Sequence, residues 1–364
     1  MPHRAVSTAF PSFESLARRS RRLGRANGFD GLRLLLALGI VAIHGVTLTA
    51  GDASGMAWPF QRAGGLVLPA FFALSGYLVA ASLVRCADPR AFLLLRLLRI
   101  APALIVTVAA TALLLGPLMT TLPLTDYFAA PATARYLQNI IGLPHFALPG
   151  LFADNPRGGI VNGALWTIQM EMGCYLALAV LASVARGRLF EIALLGLALM
   201  LLFPRLPFIG LALTWLPAKP LVLAFVCGAL LHHFAAHIPL HPVLGVAALA
   251  AAFGILRDPA HAGLAVPFLA YGVIWLGVRR IPAALTRADY SYGVYLTAYP
   301  LQQAAIQLVP GQSWWINLSL ALPAALLAAA ALWHGVEHPL MARKHELVAR
   351  LTGQRPDVRH WARA

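Results

Sequence analysis

The sequence predicts an all-α fold, a polytopic transmembrane helix bundle of about ten spans with both termini in the cytoplasm. Of its 364 residues, 60% are hydrophobic and only 11% are charged, and the mean hydropathy is +0.74. Soluble domains average about 45–50% apolar and about 25% charged residues, so this composition excludes a soluble enzyme with a conventional surface. Apolar stretches of membrane-spanning length and an uneven distribution of basic residues are the other two observations behind this prediction.

Ten apolar stretches are long enough to be read as spans. They cover residues 31–50, 64–84, 97–120, 164–185, 188–205, 218–236, 239–256, 262–278, 289–309 and 313–336. The fifth and seventh are short and flanked by proline, so nine or eleven spans are the alternatives. The only long connection, 121–163, is rich in Pro, Gly and Asn and too polar in its middle to cross a bilayer.

The basic residues indicate which ends of the helices face the cytoplasm. The chain has 28 Lys and Arg against 13 Asp and Glu, a formal net charge of +15, which in a soluble protein would suggest a nucleic-acid partner. With the N-terminus inside, 22 of the 28 basic residues fall on the cytoplasmic side, as the positive-inside rule requires. We therefore expect a basic cytoplasmic extension (1–28), a membrane domain (29–340), a basic cytoplasmic tail (341–364) and no nucleic-acid partner.

Neither disulfide bonds nor a metal site is predicted. The three cysteines are widely spaced and form no CxxC motif. Four histidines, His232, His233, His237 and His241, lie close together in the sequence, but prolines interrupt any helix there and no carboxylate is near in the sequence. A solvated cytoplasmic edge explains them better than a metal centre.

Ionisable residues inside the predicted spans are candidate functional groups, because a charge in the membrane is costly. They are His44, Glu171, His334 and Glu337, together with Arg33, Arg96 and Arg99 at the cytoplasmic starts of two spans. Arg33 and His44 are 11 residues apart, on one helix face and about 16.5 Å apart along the axis. An anionic cofactor docked at Arg33 could extend to His44, a general base near neutral pH. Alternatively, Arg33 only sets the orientation and His44 hydrogen-bonds a neighbouring helix.

Arg96 and Arg99 are separated by three residues and share a helix face. Two forked guanidinium groups suit phosphate oxygens, although orientation charges occupy the same position in other membrane proteins. The spacing alone leaves both interpretations open.

Two further patterns each have two interpretations. Glu171 and His44 lie at similar depths in different spans, so the carboxylate could orient the imidazole; otherwise Glu171 is a bundle residue hydrogen-bonded to backbone. The run Ser75-Gly76-Tyr77 interrupts an apolar helix with small residues, which is typical of close helix packing and would also admit a thin ligand.

Six motifs, in order, resemble the landmarks of the acyltransferase 3 family. They are FDGLRLLLALGIVAIH (Phe29 to His44), FFALSGYLV, RLLRIAPAL, NGALWTIQMEMGCYL, SYGVYL (Ser291 to Leu296) and VEHP (Val336 to Pro339). The resemblance extends over about residues 29–340. Members of this family are bacterial inner-membrane proteins that O-acylate extracytoplasmic glycans.

The resemblance implies an acyl-CoA donor, usually acetyl-CoA, and a saccharide or glycolipid hydroxyl as acceptor. By their places in the motifs, His44 is expected to act as base or transient acyl carrier, and Glu171 and Glu337 are the catalytic motif glutamates. The residues expected to bind the cofactor are Arg33, Arg96, Arg99, Ser75 and Tyr77. Those expected to bind the substrate are Asn162, Trp166, Ser291 and Tyr295. Glu337, at the cytoplasmic end of the last span, is also expected to pair with the donor-binding arginines.

The chain departs from the family pattern at three positions. Tyr77 stands where Phe is usual, Thr167 where Ser is common, and Thr297 near where many members have a histidine. The leading hypothesis is a membrane O-acyltransferase. A proton-coupled transporter or flippase, with His44, Glu171 and Glu337 as a proton relay, is the alternative, although no internal repeat typical of transporters is found. A membrane scaffold is a third and weaker hypothesis.

Overall fold

The computed structural model describes residues 14–23, 28–51, 60–86, 88–185, 187–203, 218–256, 261–279 and 288–352. Its helices are α1 (Leu16–Leu23), α2 (Phe29–Ala50), α3 (Phe60–Cys86), α4 (Pro89–Met119), α5 (Leu124–Ala129), α6 (Pro131–Tyr136), α7 (Trp166–Val184), α8 (Arg188–Leu202), α9 (Lys219–His233), α10 (Pro242–Ile255), α11 (Ala262–Gly277), α12 (Ser291–Leu308), α13 (Trp314–Ala342) and α14 (Lys344–Thr352). The described part of the chain contains no named strand, so the predicted all-α class is confirmed there.

A helix lies at each of the ten predicted positions, and the last two residues of the fifth, 204–205, fall outside the described residues. Five helices are long and apolar enough to cross a membrane: α2, α3 from Gly64 to Cys86, α4, α7 and α13. The chain is thus a multi-pass membrane protein. The count of ten spans and the cytoplasmic placement of both termini stay predictions.

Helices α3 and α9 cross in direct backbone contact. A Cβ added to Gly76 would lie 2.0 Å from the carbonyl oxygen of Phe225, and one added to Gly228 would lie 2.0 Å from that of Ala73. Only glycine permits so close an approach, which van der Waals packing favours within a membrane. Of the two interpretations of Ser75-Gly76-Tyr77, close helix packing is therefore confirmed.

Helix α12 is surrounded by other helices of the bundle. It packs against α2, α13 and α4, and most of its residues are buried, including the polar side chains of Gln302 and Gln303. Helix α7, in contrast, packs mainly against α4. This arrangement separates α7 from the face of α2 that carries Arg33 and His44.

The long connection between α4 and α7 is folded onto the bundle. Tyr127 of α5 is fully buried, and its hydroxyl donates to the carbonyl oxygen of Ala112 at 2.7 Å. Burial raises the pKa of Tyr127 to about 12, so the hydroxyl remains a neutral donor at ordinary pH. The connection therefore forms a fixed cap on one end of the helices.

The basic N-terminal and C-terminal segments each contribute a docked helix. In α1, the buried Leu16 donates its backbone N–H to Ile238 at 3.0 Å, and in α14 the buried Val348 packs into the main core. Residues 1–13, 24–27 and 353–364 of the predicted extension and tail lie outside the described residues.

Candidate active site

An ion-pair cluster joins four helices. The Arg99 guanidinium of α4 pairs with Asp289, just before α12, and with Glu337 near the end of α13. Arg33 of α2 reaches the same Asp289 oxygen at 3.5 Å and Asp30 at 3.8 Å. Glu337 is only 2% exposed, so the pairing expected between this glutamate and an arginine is confirmed. Opposite charges compensate one another where isolated charges would be costly.

Neighbouring groups hold the members of the cluster in place. The other oxygen of Asp289 accepts hydrogen bonds from the hydroxyl and the backbone N–H of Ser291, at the first turn of α12. The Arg99 guanidinium lies over the rings of Tyr292 and Trp333, with centroids 5.7 and 6.0 Å away, within the range of cation–π attraction. The planar fork of Arg99 is thus fixed by two carboxylates and two aromatic rings.

Arg96 has different partners from Arg99. Its guanidinium donates to the hydroxyl of Ser82 on α3 at 3.2 Å, and its Nε is buried without a hydrogen-bond partner among the described residues. Although the two arginines share a helix face, they do not converge on one carboxylate. Arg96 therefore keeps unused donor capacity beside the cluster.

Glu171 belongs to a second group of polar residues. Its carboxylate accepts hydrogen bonds from Ser75 at 2.6 Å and from Tyr175, and these two hydroxyls lie 3.2 Å apart. No contact joins Glu171 to His44 among the described residues, since α7 packs on α4 rather than on the His44 face of α2. The predicted meeting of Glu171 and His44 is therefore not formed.

His44 faces α12, on the same side of α2 as Arg33. Its imidazole meets the ring of Tyr299 edge-on, with centroids 5.0 Å apart, and lies close enough to Arg157 to interact electrostatically. No hydrogen bond to a ring nitrogen of His44 is made by the residues that the structure describes. The alternative of a histidine bonded to a neighbouring helix therefore finds no support among those residues.

The connection that follows α6 is fastened to α12 by a row of side chains. Tyr295, Tyr299, Gln303 and Gln307 recur every fourth residue, so they share a helix face. They contact the connection through Ala164, Gly163, Ile160 and Phe152, respectively. The segment beside His44 is therefore held against α12 by these contacts.

Asn162 completes this attachment for a reason that lies in the sequence. Pro300 has no N–H, so the carbonyl oxygen of Leu296, four residues earlier, lacks its helical donor. The side-chain amide of Asn162 donates to that oxygen at 2.9 Å. Asn162 is 1% exposed, so its contact is with α12 rather than with the outer surface.

The remaining predicted site residues lie in three different places. Trp166, at the start of α7, is half-buried against the large hydrophobic core that α4 and α7 share. Tyr295 of α12 forms a hydrogen bond with the next residue of α7, Thr167. Ser291 lies at the ion-pair cluster instead. Tyr77 packs between Phe29 and His232, with centroids 5.4 and 5.3 Å away, and neither it nor Ser75 has a described contact with Arg33 or Arg99.

Three residues of the site were not singled out from the sequence: Asp289, Tyr299 and Arg157. An acid at the start of a helix is ordinary, because it complements the helix dipole, so Asp289 gave no distinct signal. Tyr299 and Arg157 meet His44 only through tertiary packing. Two of the four clustered histidines make ordinary structural contacts. His233 pairs with Glu191 at 3.1 Å, and the side chain of His241 caps the start of α10.

These features define a multi-pass helical membrane protein with a charged cluster at one end of its bundle and a histidine deeper within it. The chain belongs to the acyltransferase 3 family, because the family model described as "Acyltransferase domain" matches residues 26–334. The resemblance carried by the six motifs is thereby confirmed, and the protein is an acyltransferase.

Two curated proteins are similar to the chain over most of their length. The "O-acetyl transferase" of Shigella phage Sf6 is 25% identical, with 88% of this chain and 97% of the relative covered. "Nodulation protein 10" of Rhizobium leguminosarum bv. viciae is 28% identical, with 90% of this chain and 96% of the relative covered. No solved structure matches the chain.

Proposed function

We propose that this acyltransferase moves an acetyl group from acetyl-CoA to a hydroxyl of a saccharide or glycolipid in the bacterial inner membrane. The observation that carries the proposal is the placement of Arg33 and His44 on one face of α2, with Arg33 in the ion-pair cluster and His44 about 16.5 Å deeper. The name of the phage relative, an O-acetyl transferase, supports transfer to oxygen.

The donor's phosphates would bind at the arginine cluster. Guanidinium forks pair with phosphate oxygens as they do with carboxylates, so phosphates would replace Asp289 or Glu337 as partners of Arg33 and Arg99. Arg96, with its unused Nε, would supply a further donor. The pantetheine arm would then run along α2 and place the thioester beside His44.

In this mechanism His44 acts as the general base. Its ring nitrogen accepts the proton of the acceptor hydroxyl while that oxygen attacks the thioester carbonyl carbon. The carbon–sulfur bond breaks, and coenzyme A leaves as the thiolate, which takes the proton back from His44. The Tyr299 ring holds the imidazole edge-on, and the charge of Arg157 would stabilise the developing oxyanion.

The acceptor would bind where the connection fastened to α12 meets α7. Trp166 supplies an aromatic surface there for a sugar ring, and Asn162 and Tyr295 shape the site through their bonds to Leu296 and Ala164. Glu171 would position α3 against α7 below this site through Ser75. Ser291 would act on the donor side, by holding Asp289.

The test is transfer of labelled acetyl from acetyl-CoA to membrane glycan in inverted vesicles. His44→Ala should lower the rate at least about 100-fold, the smaller effect of losing a general base. Leu35→Ala, at a 65% exposed position of the same helix, should retain the wild-type rate. Mass spectrometry of the glycan would identify the acceptor. Equal rates in the two variants would exclude this role of His44, and glycan transport without any acetyl transfer would favour the flippase hypothesis.

A second experiment separates a base from an acyl carrier. If His44 carries the acyl group, label should remain on the protein when acceptor is omitted, and His44→Ala should abolish that labelling. A base leaves the protein unlabelled under the same conditions. Samples that are denatured rapidly near neutral pH, because an acyl-imidazole hydrolyses in acid, and then analysed by mass spectrometry distinguish the two outcomes.

A further inference from the structure

An apolar cavity of about 450 Å³ lies between α4, α12 and α13, apart from the acyl-transfer site. Its volume is within the range of about 300–1,000 Å³ that is usual for ligand sites. Tyr299, which contacts His44, and the cavity-lining Thr297 project about 200° apart around α12, so this helix separates the cavity from the imidazole. The proposed reaction therefore does not use this space.

The cavity exists because all three helices are irregular beside it. A π-helical turn in α4, Thr111–Leu115, lines one wall, and a second π turn in α13, Trp333–Glu337, contributes Val336. On α12 the cavity is lined at Pro300, where the helix lacks a backbone donor. π turns occur often at functional sites, and two of them meet here.

The walls offer almost nothing to a polar ligand. The hydroxyls of Thr111 and Thr297 donate to backbone carbonyls within their own helices, at 2.7 and 2.8 Å. The hydroxyl of Thr107 has no hydrogen-bond partner among the described residues, but it is fully buried, so a ligand in the cavity does not reach it. The other lining side chains are aliphatic. An apolar cavity of this kind is not filled by water.

The mouth of the cavity opens where the protein meets the bilayer. Leu114 and Leu118 on its rim are 64% and 80% exposed, within a membrane-spanning helix. From Val106 to Leu118 the cavity follows α4 for about 18 Å at 1.5 Å per residue. That length is close to one leaflet, half of a hydrocarbon core about 30 Å thick.

We propose that this cavity is a lateral binding site for one hydrocarbon chain of a membrane lipid, along residues 106–118 of α4. The chain enters between Leu114 and Leu118 and packs against the small side chains of Ala110 and Ala331, which leave room for it. This inference does not rest on the proposed acyl transfer, because the cavity lies on the far side of α12 from His44.

Photo-crosslinking of the full-length protein tests the site. The protein is reconstituted in vesicles of phosphatidylethanolamine and phosphatidylglycerol that contain a phosphatidylcholine tracer with a diazirine in one acyl chain. Crosslinked peptides from residues 106–118 and 328–336 should exceed, at least five-fold, those from the lipid-facing side of α7 at Leu176 and Val180, which are 55% and 52% exposed. Uniform labelling of both faces would overturn the proposal.

A filled cavity provides the matched comparison. Ala331→Trp should reduce labelling of both segments at least five-fold, whereas Leu327→Trp, on the same helix but outside the cavity lining and 73% exposed, should leave it unchanged. Undiminished labelling in Ala331→Trp would also contradict the site. If Ala331→Trp fails to accumulate, Ala110→Leu replaces it as the variant that fills the cavity. If neither variant accumulates, the ratio of labelling between the cavity segments and α7 in the wild type decides whether the site exists.

Discussion

Arg33 and Arg99 reach the same atom, Oδ2 of Asp289, although they belong to different helices. Carboxylate and phosphate oxygens make the same kind of charge-assisted hydrogen bond with a guanidinium group. Asp289 therefore orders the two cations in an arrangement that an anionic donor can use. It also links the start of α12, the helix whose Tyr299 contacts His44, to the ion-pair cluster.

The first prediction concerns the fork of Arg99. Arg99→Lys keeps the positive charge, but a single ammonium group cannot bond Asp289 and Glu337 in the same fixed geometry. We expect kcat/KM for acetyl-CoA to fall at least ten-fold, mainly through a higher KM, in steady-state transfer assays. Arg90→Lys, an exposed arginine of the same helix, is the control and should be unchanged. An unaltered KM in Arg99→Lys would remove Arg99 from the donor site.

The second prediction concerns the contact behind His44. A Cβ added to Gly163 would lie 2.8 Å from the ring of Tyr299, so Gly163→Ala should displace this ring and the imidazole that it supports. Overpacking of this kind costs about 1–3 kcal/mol of stability, and we expect acetyl transfer to fall as well, with little change in KM for the donor. Thermal unfolding and transfer rates measure both effects.

Gly173→Ala is the matched control, because a Cβ at Gly173 in α7 meets nothing within 4 Å. It should be as active as the wild type and at least as stable, since alanine is the better helix former. If Gly163→Ala behaved in the same way, the Tyr299 ring would not be needed to hold His44.

The third prediction concerns the crossing of α3 and α9. Gly76→Ala places a methyl group against the backbone of Phe225, which no side-chain rotation can relieve. We expect it to lower the free energy of unfolding by about 3 kcal/mol, the upper end of ordinary overpacking costs, and to reduce accumulation in the membrane. Gly65→Ala in the same helix has open space around it and should be neutral or stabilising. Equal thermal stability of the two variants would contradict the backbone contact.

The parts of this structure that the sequence predicted are those that local patterns determine. Apolar runs of span length predicted a helix at all ten positions, and the glycine of Ser75-Gly76-Tyr77 predicted a close crossing. A pairing of Glu337 with one of the donor-binding arginines was also expected from its place at the cytoplasmic end of the last span, and the structure identifies that arginine as Arg99.

The parts that were not predicted depend on which helices are neighbours. Glu171 and His44 lie at similar depths, yet α7 packs on α4 whereas α2 packs on α12, and no local pattern distinguishes these arrangements. The bond from Asn162 to Leu296 spans 134 residues and follows from the missing N–H of Pro300. Proline was visible in the sequence, but the side chain that replaces its donor was not.

The last prediction tests whether Ser75 and Glu171 act as one unit. The Ser75 hydroxyl donates to the Glu171 carboxylate at 2.6 Å and joins α3 to α7. Ser75→Ala removes this hydrogen bond to a charged group and should cost about 1.5–3 kcal/mol, with a parallel loss of acetyl transfer. Ser75→Thr keeps the hydroxyl and should restore most of both, and Ser183→Ala, whose hydroxyl bonds only backbone on α7, should have little effect.

A double-mutant cycle with Glu171→Gln measures the coupling directly. If the carboxylate is the partner that matters, Ser75→Ala should destabilise the Glu171→Gln protein less than the wild type, by a coupling energy of at least about 0.5 kcal/mol. Additive effects on thermal unfolding would show that Ser75 and Glu171 act independently. A coupling seen in stability but not in transfer rate would make the pair a structural link between α3 and α7, because a carboxylate that also served the reaction would couple in both measurements.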